Sequence, residues 1–413
     1  MKQISNEIIE FLDNFTPNIP YNRFSMKSKS FLKDIFILMV QGNEYFEKHK
    51  NKINVNVSDK TPISNDFHYM PQVIQNKINN MQGICYEYNF NIYTKKYKVS
   101  FYINNKKKDI THLDIKIKKI FVWLFIVNAY SNEKCSQYLN INLYLTDLIK
   151  VLPVKTSQII KQEHANTAFT TSCKKHTEIN LFREEEWFKV LIHESFHCNG
   201  MDFSELENSN INKKVLSIFP VNSDVRLFET YCEVWAEIIN VMFISYNKIR
   251  VNNNIDKENL DNYIDKLIIK TEKLLHNERL FSLFQCAKVL HFFGIKYNNL
   301  YENDLQSKQL RTSRYKEETQ ILSYYILKSI YIYFVDEFIE WCVENNSENG
   351  ITTLNFNKNT ETIDSYIQFI KDHYLNSSYT GSLMLFENWF NNISNNSVSS
   401  EIYNTLRMSV NEE

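Results

Sequence analysis

His193-Glu194-Ser195-Phe196-His197 places two histidines four residues apart with a glutamate beside the first. On a helix, positions i and i+4 lie one above the other on the same face, so both imidazoles reach one metal ion. Glu194 then projects toward the place where a metal-activated water sits. The chemistry this implies is metal-assisted hydrolysis, and the metal expected is Zn2+. A catalytic zinc takes three protein ligands and keeps a fourth position open, so a third ligand must come from elsewhere in the chain. Downstream, Glu229, Glu233 and Glu237 recur at four-residue spacing among Val225, Phe228, Cys232, Trp235 and Ile238. At 3.6 residues per turn the three carboxylates share one helix face. Packed against the first helix, that face supplies a ligand and a carboxylate to orient a ligating histidine.

Glu233-Val-Trp-Ala236-Glu237 is similar to the ExxA(D/E) element of gluzincin metallopeptidases, the thermolysin-like class. The resemblance implies Glu233 as the third zinc ligand and Glu237 as the acid that braces a histidine. The family usually carries Asp at the second place. A register shifted by one turn, with Glu229 as ligand and Glu233 as brace, stays open. Over roughly residues 120 to 240 the chain also resembles a group of metalloproteases encoded by large DNA viruses. That likeness rests on Asn166-Thr-Ala-Phe-Thr, on Arg183 through Val190 leading into HExxH, and on Met201-Asp-Phe-Ser204. The competing HExxHxxGxxH/D pattern of metzincins finds its glycine in Gly200. Its third ligand would fall at Phe203, with Asp202 one residue short, so Gly200 is read as a helix stop.

With this set, Glu194 acts as general base on the attacking water. His291 is the expected donor to the oxyanion, with Tyr231 and Tyr297 as weaker alternatives. His164 and His176 are read as turn or surface residues, and Cys198 and Cys232 as small thiols packed between helices. The function expected is zinc-dependent peptide-bond hydrolysis on a peptide or protein substrate. The alternative is a non-catalytic interaction or virion-associated protein on the same scaffold.

These groups need elements to hold them. Glu184-Glu185-Glu186 precedes the first helix, where the helix dipole favours anions, and Asn199-Gly200 ends it. The second helix is expected over 224–248. Alternation of apolar and polar residues predicts strands at 86–93 and 97–103, with Thr94-Lys95-Lys96 turning between them. Further strands are expected at 140–145 and on either side of Lys174-Lys175-His176; residues 166–170 form a candidate edge for an extended substrate. Ile120 to Tyr130 reads as a buried helix, and 204–223 as a polar loop. The fold class expected is α+β and predominantly helical: a zincin-like active-site helix, a small mixed sheet on its N-terminal side and a helical C-terminal region. The regions expected are 1–85, 86–250 and 251–413.

Composition narrows the classes further. Only six Gly and six Pro in 413 residues leave few breakers and favour long helices. A net charge of −1 argues against a broad nucleic-acid surface, and Lys106 to Lys108 read as a solvated hairpin end. No apolar run reaches the ~20 residues that a membrane-spanning helix needs. The seven cysteines form no CxxC pair, which predicts reduced thiols and an intracellular, cytoplasmic protein (host cytoplasm or virion).

Overall fold

A computed structural model describes residues 2–412 apart from 17, 18, 20, 22, 63, 65, 105–110, 252, 349 and 393–398. Lys106 to Lys108 therefore lie outside the described residues. Two helices, Lys2–Phe15 (α1) and Met26–His49 (α2), precede an exposed strand, Asn54–Ser58 (β1), and the helix Gln72–Asn79 (α3). The strands Gly83–Ile92 (β2) and Lys95–Asn104 (β3) form the expected hairpin. Its turn is shorter than expected: Ile92 pairs with Lys95, and Tyr93 takes a left-handed φ of 52° to close it. The helix Thr111–Tyr130 (α4) starts earlier than predicted and carries the chain over to Tyr138–Thr146 (β4), which runs parallel to β3. A parallel pair needs such a crossover.

After the short helix Gln162–Ala165 (α5) come Ala168–Thr170 (β5) and His176–Arg183 (β6). The sheet order is β1-β2-β3-β4-β6-β5, with β6 parallel to β4 and β5 antiparallel to β6 at the edge. The protein is thus an α+β chain with a small six-stranded mixed sheet and a majority of helix. β6 feeds directly into Trp187–Cys198 (α6), the helix with the two histidines. Residues 204–223 are not all loop: Asn208–Leu216 form a helix (α7) that buries Ile211 and Val215. Leu227–Arg250 (α8) is buried from Glu229 to Tyr246, which is why its acids must find partners inside the protein.

The C-terminal part is helical as expected. It includes the 30-residue Ile264–Phe293 (α9), Leu305–Arg314 (α10), and a π-helical turn, Leu322–Leu327, running on into Lys328–Tyr333 (α11). Val335–Asn345 (α12), Thr360–His373 (α13), Ser377–Asn391 (α14) and Ser400–Asn404 (α15) follow. One apolar core draws side chains from Ile8 in α1 to Val410 beyond α15. No helix among the described residues is long and apolar enough to cross a membrane. The cysteine expectation needs correction. Cys135 and Cys173 are joined in a disulfide, while Cys85, Cys198, Cys232, Cys286 and Cys342 are free and buried. The paired residues lie 38 apart and meet only because β4 and β6 are neighbours, so no local spacing announces them.

Candidate metal centre

α6 is fixed at both ends and along its back. At its start Glu186 adopts a left-handed φ of 57°. Its carboxylate does not cap its own helix; it accepts from the backbone N–H of Met408 and Ser409 and from Lys150 Nζ. At its end Gly200 has φ 65°, its N–H donates to His197 O, and Met201 N–H donates to Phe196 O at 2.9 Å. That is a Schellman closure, and it confirms the stop expected at Asn199-Gly200. On the buried side, Trp123 of α4 donates its indole N–H to Ser195 Oγ at 3.1 Å. The helix therefore has little freedom to rotate.

α8 packs against α6, and its three glutamates are held in three different ways. Glu229 Oε2 lies 3.0 Å from His193 Nε2 and 3.4 Å from His197 Nε2, while the two Nε2 atoms are 3.2 Å apart. Glu233 Oε2 sits on the other ring nitrogen, 3.0 Å from His193 Nδ1, and its Oε1 accepts from Lys189 Nζ. Glu237 is one turn further on, away from both histidines, and accepts from Lys328 Nζ of α11 at 2.6 Å. Of the two registers left open by the sequence, the geometry brings Glu229 to the imidazole pair and puts Glu233 behind His193. The expected ligand Glu233 thus stands in the bracing position, and the expected brace Glu237 bonds a lysine. The reason is where the helices cross: the first turn of α8, not the second, faces the Nε2 atoms.

His197 has its own brace, which the sequence reading passed over. Its Nδ1 bonds the Asp202 carboxylate, whose other oxygen accepts from Ser204 Oγ at 2.9 Å. With Glu233 and Asp202 each taking an Nδ1–H, each Nε2 faces Glu229 and presents either a proton or a lone pair to it. Two lone pairs and a carboxylate oxygen facing one another repel unless protons or a cation stand between them. Tetrahedral ligands at ~2.0–2.1 Å from zinc are about 3.4 Å apart, close to the three separations found. The donor set, two imidazoles and one carboxylate, also suits zinc. His193, His197 and Glu229 therefore fit a zinc ion.

Electrostatics agree with a cation-ready site. Burial alone would raise the Glu229 carboxyl, but the His197 charge and hydrogen bonds from both imidazoles outweigh it and hold it far below the usual range. Burial likewise works against Glu233, and Lys189 and His193 hold it down. Burial pushes Glu194 up, against the opposing pull of His193 and His197, so it is a weaker acid than an exposed glutamate. Glu194 is 7% exposed, on the same helix as both histidines.

Tyr324, in the π-helical turn, donates its hydroxyl to Glu229 Oε2 at 3.1 Å, and its ring lies 6.0 Å from that of His193. Sequence reasoning missed it. The one available signal is that a tyrosine in an apolar helical run needs a buried partner for its hydroxyl.

The other expected groups lie elsewhere. His291 is near the end of α9 with its ring 5.3 Å from Phe390 of α14, so it is a packed aromatic partner and not a neighbour of the imidazole pair. Tyr231 and Tyr297 donate to the carbonyls of Leu354 and Tyr374. His164 Nδ1 accepts from Lys161 N–H, and His176 stacks on Tyr138 at 4.5 Å. Cys232 Sγ is 3.7 Å from His197 Nδ1 and 3.6 Å from Asp202 Oδ2, on the far side of the ring from Nε2. Cys198 contacts Ser195 O and Asn199.

No protein-family model, no curated protein sequence and no solved structure matches the chain.

Proposed function

We propose that this chain is a zinc-dependent metallopeptidase with a zincin-like catalytic core, His193, His197 and Glu229 holding the metal and Glu194 acting as general base. The observation that carries the reading is the convergence of His193 Nε2, His197 Nε2 and Glu229 Oε2, each within 3.4 Å of the others and each backed by a fixed partner. A sheet that runs into α6, and a second acidic helix packed on it, support the zincin-like assignment.

Zinc bound there supplies Lewis acidity, lowering the pKa of water toward ~7 and polarising a carbonyl. The protein's residues do the rest. Glu194, made more basic by burial, takes the proton of the attacking water and returns it to the leaving amine. Glu233 and Asp202 hold the two imidazoles in the tautomer that leaves Nε2 free. Tyr324 has a hydroxyl at the edge of the site, and once turned from Glu229 it can donate to a developing oxyanion.

A peptide suits the neighbouring strand. Thr167 O accepts from Phe182 N–H and Thr171 N–H donates to Glu178 O, so 167, 169 and 171 face β6. By alternation, the backbone groups of Ala168 and Thr170 point outward from the sheet, ready to pair with an extended chain.

The test compares wild type with Glu194→Gln for zinc content and for cleavage of a peptide library. Stoichiometric zinc in both, with cleavage lost only in the variant, is the expected result. Absence of zinc, or equal cleavage by both proteins, defeats the proposal and leaves the non-catalytic alternative.

A further inference from the structure

The Cys135–Cys173 disulfide lies against the end of the metal helix. Cys135 is in the loop before β4, and Cys173 is in the loop joining β5 to β6. Ser136, held at a left-handed φ of 49°, donates its N–H to Lys174 O at 2.7 Å and its hydroxyl to Cys198 O at 2.7 Å. Cys198 O is among the last carbonyls of α6. A Cβ on Gly200 would stand 3.0 Å from Cys135 Sγ and 3.4 Å from Cys173 Cβ, so the bridge packs directly on the residue that closes the helix. One covalent link therefore ties together the far end of β5, the entry to β4 and the cap of α6, three residues beyond His197. The His197–Asp202 bond spans that same cap. Of the seven cysteines only Cys173 is partly open to solvent; Cys135 is 1% exposed and the five free thiols are buried.

We propose that Cys135–Cys173 is a site of thiol–disulfide exchange with a small thiol of the glutathione class, and that the exchange governs the centre carried by α6. The inference rests on the metallopeptidase reading above. A thiolate attacks the sulfur of Cys173, the less buried residue of the pair, and forms a mixed disulfide. The Cys135–Cys173 bond breaks with its electron pair on Cys135, which takes a proton. A second thiolate then attacks the mixed disulfide, releasing Cys173 as a thiolate that is protonated in turn, and two small thiols leave as one oxidised disulfide. Reduction frees the loops 131–137 and 171–175, and with them the end of β5 and the cap that sets the His197–Asp202 register. The oxidised form is the tight zinc binder and the active one.

The experiment uses the full chain in both redox states, the reduced form made with a phosphine that is then removed. Peptide mapping under non-reducing conditions reads the bond. Hydrogen exchange reads segments 131–137, 171–175 and 195–202, and competition with a chromophoric chelator reads zinc affinity. Reduction is expected to speed exchange in those three segments and to weaken zinc binding by about tenfold or more, the size of effect found when a metal ligand loses its support. Oxidised glutathione should reverse both changes, and Cys135→Ser/Cys173→Ser should behave as the reduced form under all conditions. Equal exchange and equal zinc affinity in the two states overturn the proposal while leaving the peptidase reading intact. Faster exchange on reduction, with no zinc bound in either state, overturns the peptidase reading and with it the control of zinc, leaving only the local effect of the bond.

Discussion

Replacing Glu229 with glutamine changes one oxygen of a side chain that faces both imidazoles; replacing Glu233 with glutamine makes the same change one turn away. The structure predicts different results. Glu229 Oε2 is 3.0 and 3.4 Å from the two Nε2 atoms, so its loss removes one of three protein donors. Structural zinc sites with four protein ligands bind with an apparent ~10–16 kcal/mol, or about 2.5–4 kcal/mol for each ligand. At ~1.4 kcal/mol per decade, Glu229→Gln should weaken zinc binding by ~10²–10³-fold. Glu233 touches the metal side only through His193 Nδ1, so Glu233→Gln should cost ~10–100-fold. Glutamine keeps the volume in both cases, which limits the confounding effect of a cavity. Competition with a chromophoric chelator at fixed pH measures both affinities, and circular dichroism checks that both variants are folded. A Glu233→Gln loss larger than that of Glu229→Gln would refute the assignment and restore the register with Glu233 as ligand.

Other perturbations probe other parts of the centre. Tyr324→Phe removes a hydroxyl without removing a ligand, so kcat should fall ~10²–10³-fold while zinc affinity stays close to wild type; an unchanged kcat excludes Tyr324 as oxyanion donor. Lys189→Met strips the buried Glu233 carboxylate of its cation, and urea unfolding should show a loss of ~3–5 kcal/mol; a stability within 1 kcal/mol of wild type, on that same scale, denies the pair its importance. Burial raises the Glu237 carboxyl from 4.5 to about 8, against the pull of Lys328. Its folded pKa lies above its unfolded one, so its contribution is complete below pH 4.5 and is lost as pH rises toward 8. Wild type should therefore lose stability relative to Glu237→Gln by ~1.4 kcal/mol per pH unit across that window. Parallel stability curves for the two proteins argue against the raised value.

What the sequence made legible is what lies within one element. His193, Glu194 and His197 belong to a single helix, and their spacing alone fixes their relation. The row Glu229, Glu233, Glu237 was equally visible, but its register was not, because three identical side chains at identical spacing differ only in which turn of α8 crosses α6. Asp202 was legible as an acid two residues after the glycine stop, and was set aside because it falls one place short of a different ligand pattern. Lys189 stands at i−4 from His193 in an otherwise apolar stretch, a signal of a buried partner that the pattern of glutamates obscured. Tyr324 lies 95 residues beyond Glu229, and only the packing of the π-helical turn against α8 brings it back. The disulfide depends on strand order in the same way. The small sheet and the helical C-terminal region followed from alternation and from the scarcity of breakers, whereas α7 was hidden in a polar stretch with only two residues to bury.

The row of acids on α8 bears on the order in which the protein folds. A helix with like charges at i and i+4 is penalised by ~0.2–0.5 kcal/mol per pair while it stands alone. Glu229–Glu233 and Glu233–Glu237 are two such pairs; in the folded protein Lys189 on α6 offsets the Glu233 charge, and burial beside Lys328 on α11 leaves Glu237 mostly protonated at neutral pH. Those lysines are far apart in the chain, so α8 matures only after a long loop has closed. Its native contacts should then be weak in the folding transition state, with φ-values near zero for conservative substitutions along the acidic face.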